Sequence, residues 1–130
     1  MASNRARVLS VLHAIVALNA IGGGIFGLAG APGVPVAWLQ HTPFDSYLIP
    51  SLILIVVIGG AHTVASDRMG RNMPGAPAVS LVAGAILMGW IGVQITLIGY
   101  VSWLQPAVAL AALANLALAW GLHRTSRGVV

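Results

Sequence analysis

The sequence predicts an all-α membrane protein, a four-transmembrane-helix antiparallel bundle with both termini in the cytoplasm. Of its 130 residues, 58% are hydrophobic and only 6% are charged, whereas a soluble domain carries about 25% charged residues. Four apolar stretches of about 20 residues, the length that crosses a bilayer, occupy almost the entire chain. We therefore expect a single transmembrane domain over residues 1–130.

The first predicted span covers residues 8–29. Its apolar stretch exceeds the roughly 7–15 residues of a signal-peptide core, so we expect a helix that stays in the mature protein. The prolines of residues 31–46 lack the amide hydrogen that a helix needs, and this segment is therefore a predicted loop.

The remaining spans follow from the same pattern of apolar stretches. The second predicted span covers residues 47–66, and a polar turn leads to the third, which covers residues 78–101. A short connection ends at Pro106, a residue type that is well tolerated in the first turn of a helix. The fourth predicted span covers residues 106–122.

The arginines predict the orientation of the bundle. They form three pairs, before the first span, between the second and third, and after the fourth: Arg5 and Arg7, Arg68 and Arg71, Arg124 and Arg127. Since cytoplasmic segments carry the excess of positive charge, both termini are expected in the cytoplasm. Four aromatic residues fall at the predicted outer face, where interfacial aromatic residues are common: Trp38, Tyr47, Tyr100 and Trp103.

The composition also indicates a cellular location. Every basic residue is arginine and none is lysine. Together with the abundant alanine, glycine and valine, this composition is typical of a GC-rich bacterial genome. We therefore expect a multi-pass protein of the bacterial cytoplasmic (inner) membrane.

Small residues predict the packing faces, because helices in lipid associate through close contact at small side chains. The third span carries them at heptad spacing: Ala85, Gly89, Gly92, Thr96 and Gly99. Shorter stripes occur on the first and fourth spans: Asn19, Gly23 and Gly27, and Ala112, Asn115 and Ala119. We expect all three stripes to face inward, so that Gly92→Leu disrupts the bundle.

Six polar side chains within the predicted spans are the candidates for function: His13, Asn19, His62, Thr63, Gln94 and Asn115. No Asp, Glu, Lys or Arg lies in a predicted span, and the chain has no cysteine. Catalysis in a membrane usually needs a carboxylate, a thiol or a metal. The sequence therefore predicts no enzyme, no metal site and no cofactor.

Four of these polar residues form a predicted ligand-binding site. At a rise of about 1.5 Å per residue, His13, His62 and Asn115 fall at similar depths on three helices. Asn19 lies near the midplane. One hypothesis is that His13, Asn19, His62 and Asn115 bind a small ligand such as a quinone head group. The alternative is that they form interhelical hydrogen bonds that hold the bundle together.

Gln94 and Trp90 form a predicted partner interface. Gln94 lies about 200° around the third helix from the glycine stripe. A glutamine amide that faces lipid would lack a hydrogen-bond partner. We therefore expect this face to contact another helix, either of the bundle or of another subunit.

Several short motifs carry a family resemblance: Thr42-Pro43-Phe44, Tyr47, Pro50, Leu54, Gly59-Gly60, Trp90-Ile91 and Gln94. With them the chain resembles a group of small uncharacterised four-helix bacterial membrane proteins, and it is loosely similar to DoxX-like proteins. The resemblance implies the same length and four-span layout. Proteins of the group often carry an acidic residue near the position of Gln94, so a role that needs this carboxylate does not carry over.

The sequence favours a non-enzymatic accessory or structural subunit that packs in a larger membrane complex, because little of the chain lies outside the spans. The alternative is a bundle that binds a lipid or a quinone-like small molecule, or an oligomeric pore. Expected partners are membrane lipids and either other membrane subunits or further copies of this chain. The scattered arginine pairs do not form the basic patch that nucleic-acid binding needs.

Overall fold

A computed structural model of the protein describes residues 4–40, 42–99 and 103–128. Within these residues the chain contains helices and their connections and no β-strand. Four helices are long and apolar enough to cross a membrane, which confirms the all-α fold with four candidate spans: α1, Asn4–Leu28; α2, Leu48–Gly70; α3, Ala76–Ile98; and α4, Leu104–Gly128.

The helices begin and end a few residues away from the predicted spans. α1 begins at Asn4 rather than at residue 8, α2 continues to Gly70, and α4 continues to Gly128. Hydropathy identifies the apolar part of a helix, whereas the backbone hydrogen bonds continue through the polar residues beyond it. The last predicted residues of the third span, 100–101, lie outside the described residues.

α1 and α2 pack against each other in antiparallel directions. The two helices approach closely at Gly24, where a Cβ atom would lie only 2.9 Å from the carbonyl oxygen of Ser51. Ser51 lies in the short α-helical stretch Leu48–Ile53, which directly precedes a wider π-helical turn at Leu54–Gly59. Near the other end, Ser10 Oγ donates to the Ser66 carbonyl oxygen at 2.9 Å, and Ser66 Oγ donates to the Ser10 carbonyl oxygen at 2.8 Å. Glycine is needed at position 24 because two backbones meet there.

Two apolar clusters form the core, and each includes residues from all four helices. The terminal cluster lies near the end of the bundle where α1 begins and α4 ends, and it consists of Ala6, Leu9, Met69, Ala76 and Ala119. The central cluster lies farther along the helices and consists of Val16, Ala20, Ile58, Leu87 and Ala112. Both clusters thus join the four helices into one bundle.

α3 buries the face opposite to the one that the glycine stripe predicts, so that prediction is wrong. The stripe faces outward, and its members Ala85, Gly89, Gly92 and Thr96 are exposed. Nothing lies within 4 Å of the place where a Cβ atom would be at Gly89 or Gly92. The buried face carries Ala83, Leu87 and Ile91. The physical reason is that fully buried alanines of α4, Ala112 and Ala119, allow the close approach, and larger side chains of α3 then fill the core.

The other two stripes are predicted more accurately. On α4, the three residues of the stripe are fully buried: Ala112, Asn115 and Ala119. On α1, Gly23 and Gly27 face α2. Asn19, by contrast, is exposed, and its amide donates to the Ile15 carbonyl oxygen at 2.9 Å.

The connection from α1 to α2 folds over one end of the bundle, called here the loop end. It contains a short 3-10 turn at Val36–Leu39. Tyr47 Oη donates to the Pro35 carbonyl oxygen at 2.7 Å, and Thr42 Oγ1 donates to the Leu39 carbonyl oxygen at 2.8 Å. The Tyr47 bond ties the connection to the residue directly before α2, and the Thr42 bond lies within the connection.

The opposite end, called here the terminal end, carries the start of α1, the end of α4 and the α2–α3 connection. This connection turns at Asn72 and Gly75, which have positive φ angles of 53° and 77°. Arg71 Nε pairs with Asp67 Oδ1 at 2.8 Å on the surface. The three arginine-bearing segments therefore lie at the same end of the bundle. Three of the four predicted interfacial aromatic residues lie at the loop end: Trp38, Tyr47 and Trp103. The fourth, Tyr100, falls outside the described residues.

Candidate functional site

A layer of polar side chains crosses the interior of the bundle. Each helix contributes one fully buried side chain to this polar layer: His13 from α1, His62 from α2, Ser80 from α3 and Asn115 from α4. Each of the four lies one helical turn from the terminal cluster, the central cluster or both. The polar layer therefore separates the two apolar clusters of the core.

His13 and His62 form a direct hydrogen bond. Their Nδ1 atoms lie 2.8 Å apart, and the ring centroids are 4.9 Å apart with an interplanar angle of 48°. In a neutral pair, one Nδ1 carries the hydrogen and the other accepts it. The tautomers follow: one ring presents an Nε2–H donor and the other presents a bare Nε2 acceptor.

Five buried polar atoms of the polar layer have no hydrogen-bond partner among the described residues. These atoms are His13 Nε2, His62 Nε2, Ser80 Oγ, Asn115 Oδ1 and Asn115 Nδ2. A buried polar atom without a partner costs about 1–3 kcal/mol of stability. Five such atoms in one layer are a concentration that native proteins rarely tolerate without a ligand or water.

One turn of α3 connects the members of the polar layer. The Ala83 backbone lies next to the His62 ring, and by distance and angle His62 Nε2 has no hydrogen-bond partner among the described residues. A Cβ atom at Gly84 would lie 3.5 Å from Asn115 Cβ. Since Ser80 is about one turn before both positions, the residues of the polar layer lie at about the same height in the bundle.

The structure thus brings together three of the four residues of the predicted ligand-binding site. His13, His62 and Asn115 share the polar layer, whereas Asn19 lies apart on the outer surface with its amide bonded to its own helix. Sequence reasoning missed Ser80. Serine in a helix usually bonds the backbone of its preceding turn, so it attracts little notice. The available signal is its spacing from Ala76 and Ala83, which are buried on the same face.

The second feature is an apolar groove near the loop end, with a volume of about 250 Å³. The groove lies between α1, α2 and α3 and is partly covered by the α1–α2 connection. Its walls are mainly large apolar side chains, among them Phe26, Leu54, Trp90, Val93 and Leu97. The volume is slightly below the range of about 300–1,000 Å³ that is typical of ligand pockets.

Four polar side chains line the groove, and three of them already have hydrogen bonds. Tyr47 donates to Pro35, Thr42 donates to Leu39, and Ser51 donates to the Tyr47 carbonyl oxygen. No hydrogen bond joins the Gln94 side chain to any described residue. The groove therefore combines apolar walls with one amide that is free to bind a ligand.

Trp90 and Gln94, the residues of the predicted partner interface, both lie on this groove. Both side chains are half-buried. The structure therefore places them where α3 faces the rest of the bundle, and it turns the glycine stripe outward instead.

The chain matches no protein-family model, and it has no significant similarity to a curated protein or to a solved structure. The resemblance to DoxX-like proteins stays a prediction.

Proposed function

We propose that this protein is a non-enzymatic, multi-pass membrane protein that binds a lipid-like molecule in the groove at its loop end. The ligand is an apolar chain that carries a carbonyl or hydroxyl group, as a quinone-like molecule does. The single observation behind this proposal is the groove itself, with the free Gln94 amide set among apolar walls.

The apolar walls fit a hydrocarbon chain, but they do not select one. In a bilayer, a chain that enters the groove leaves an environment that is equally apolar, so burial gives little hydrophobic drive. Contacts with side chains such as Phe26, Leu54 and Leu97 contribute only through close packing.

Selectivity in the groove then depends on Gln94. Its amide offers both donors and an acceptor, whereas apolar walls such as Phe26, Leu54 and Leu97 offer neither. A ligand with a carbonyl or hydroxyl group satisfies the amide, whereas a plain acyl chain leaves it unpaired. The binding free energy of an amphipathic ligand is therefore more favourable by the contribution of one hydrogen bond, about 0.5–1.5 kcal/mol.

Tryptophan fluorescence tests the proposal directly, because Trp90 lines the groove. The protein needs three replacements that leave Trp90 as its only tryptophan: Trp38→Phe, Trp103→Phe and Trp120→Phe. A short-tailed ubiquinone is then titrated into the protein in lipid bilayers, since a quinone quenches a neighbouring indole. We expect saturable quenching, and a quenching that only rises linearly with quinone contradicts the proposal.

Adjacent glycines provide a matched pair of variants for this titration. Gly23 lines the groove, and a Cβ atom there makes an ordinary 3.4 Å contact with Leu54, so Gly23→Phe fills the groove without a backbone clash. Gly22 has nothing within 4 Å, and Gly22→Phe points away from it. We expect Gly23→Phe to weaken binding at least tenfold and Gly22→Phe to leave it unchanged; equal binding by both argues against this groove.

A second candidate function is an accessory subunit of a larger membrane complex. The observation in its favour is the outward stripe of small residues on α3, where Gly89 and Gly92 have nothing packed against them. Such a surface allows close approach of another helix. Purification from the source membrane in mild detergent tests this function: a partner recovered in fixed ratio supports it, and recovery of the chain alone counts against it. A homo-oligomer would instead favour the pore.

The proposed location is the bacterial cytoplasmic membrane, with both termini in the cytoplasm. The three arginine-bearing segments at the terminal end support this orientation, since cytoplasmic segments carry the excess of positive charge. The groove then opens in the outer half of the bilayer, and the polar layer lies nearer the cytoplasm.

A further inference from the structure

We infer that the polar layer is a binding site for water, held by the two imidazole Nε2 atoms together with Ser80 and Asn115. This inference is independent of the proposed groove function, because the two sites share no residue. It rests on three properties of the polar layer: its unpartnered donors and acceptors, its lack of charge and its complete burial.

The hydrogen-bond donors and acceptors of the polar layer are complementary to those of water. The His13–His62 pair presents one Nε2–H donor and one bare Nε2 acceptor, as its Nδ1–Nδ1 bond requires. Asn115 adds a carbonyl acceptor and amide donors, and Ser80 adds a hydroxyl that can do either. A buried water typically forms about three hydrogen bonds, as donor and acceptor at once. No single hydrocarbon or ion could satisfy both kinds of atom.

The site requires an uncharged ligand. None of the four side chains of the polar layer carries a formal charge in the neutral imidazole pair, so a buried ion would lack a counter-charge at large cost. The terminal and central clusters lie within one or two turns on either side.

A pair of hydrogen-bonded serines lies between the terminal end and the polar layer. Ser10 and Ser66 bond across the α1–α2 interface at 2.8–2.9 Å, one turn from His13 and His62 respectively. Both serines are half-buried. Water that exchanges with the layer therefore has hydroxyl partners on the way from the surface at this end.

Solid-state NMR of protein labelled with 15N-histidine in lipid bilayers tests the inference. His41→Gln and His123→Gln remove the other two histidines, so that only the pair gives signals. At neutral pH we expect one ring protonated at Nδ1 and the other at Nε2, and we expect magnetisation to pass from water to the Nε2 of the pair. The absence of this transfer, or the signature of a charged imidazolium, would overturn the inference.

Two amide variants give the matched control for this measurement. Asn115→Leu removes two of the unpartnered atoms, and we expect the water signal at the imidazoles to fall at least twofold. Asn19→Leu removes an exposed amide outside the layer and should leave the signal unchanged. If Asn115→Leu does not fold, Ser80→Ala takes its place as a smaller change with the same expected direction. A signal that neither Asn115→Leu nor Ser80→Ala reduces would overturn the proposed role of these residues.

Discussion

The hydrogen bond between His13 and His62 makes each imidazole depend on the other. Both rings are fully buried, so each Nδ1 atom loses its protein hydrogen-bond partner if the other ring is removed. Interhelical hydrogen bonds in membrane proteins are worth about 0.6 kcal/mol on average, which is modest. Leaving one buried partner unpaired costs more, about 1–3 kcal/mol.

The histidine pair should therefore respond non-additively to mutation. We expect His13→Leu and His62→Leu each to lower the free energy of unfolding by about 1–3 kcal/mol, because each leaves one Nδ1 atom without a partner. The free energy of unfolding of the double variant should be no lower than that of the less stable single variant. The reason is that two leucines leave no Nδ1 atom unpaired. Unfolding in a titration with denaturing detergent measures all three.

His123→Leu serves as the control for this cycle, because His123 lies in the last turns of α4, beside Trp120 and outside the polar layer. Its stability should stay within about 0.5 kcal/mol of the wild type. Strictly additive losses in the double variant would show that the two rings act independently.

At the scale of helices, the two glycine-rich helices use their glycines differently. In α1, Gly24 faces α2 so closely that an added Cβ atom would meet the side chain of Ile55 and the backbone of Ser51. In α3, Gly92 faces outward with free space around it. The same residue type thus marks a contact in one helix and an open surface in the other.

This difference predicts opposite results for two glycine-to-leucine variants. Gly24→Leu should destabilise the monomer by at least about 1–3 kcal/mol, since overpacking at a backbone contact forces the helices apart. Gly92→Leu should change the stability of the monomer by about 0.5 kcal/mol or less. Thermal unfolding in detergent distinguishes them, and a large loss in Gly92→Leu would indicate that the stripe is covered by a second chain.

For the whole molecule, orientation in the membrane is the property that links the fold to its environment. The terminal end carries the arginine-bearing segments, and the loop end carries Trp38, Tyr47 and Trp103. A bundle with this asymmetry should insert in one direction only.

Reporter fusions should reveal this direction. Alkaline phosphatase is active only outside the cytoplasm, so we expect a fusion after residue 128 to be inactive. A fusion after residue 40, in the α1–α2 connection, should be active. A fluorescent protein at the same two positions is the reciprocal control, and the reverse pattern for both reporters would refute the orientation.

Much of the candidate site was predictable from single residues. Polar side chains such as His13 and Asn115 stand out in apolar helices, because each must find a hydrogen-bond partner. Their depth followed from helical rise alone. Asn19 shows the limit of this reasoning, since its amide satisfies itself on the preceding turn and faces outward. Ser80 shows the opposite limit, since its burial depends on neighbours that are distant in the sequence.

The number of helices, their approximate positions and the segments that share one end of the bundle were determined by the sequence alone. Hydropathy summed over about 20 residues is strong enough for that without any tertiary contact. Which face of each helix turns inward was decided only by the tertiary structure. In a protein with an apolar exterior as well as an apolar core, hydrophobicity does not distinguish the two sides of a helix. The choice depends on how side chains of different helices fit together, as Leu87 of α3 fits with Ala112 of α4 in the central cluster.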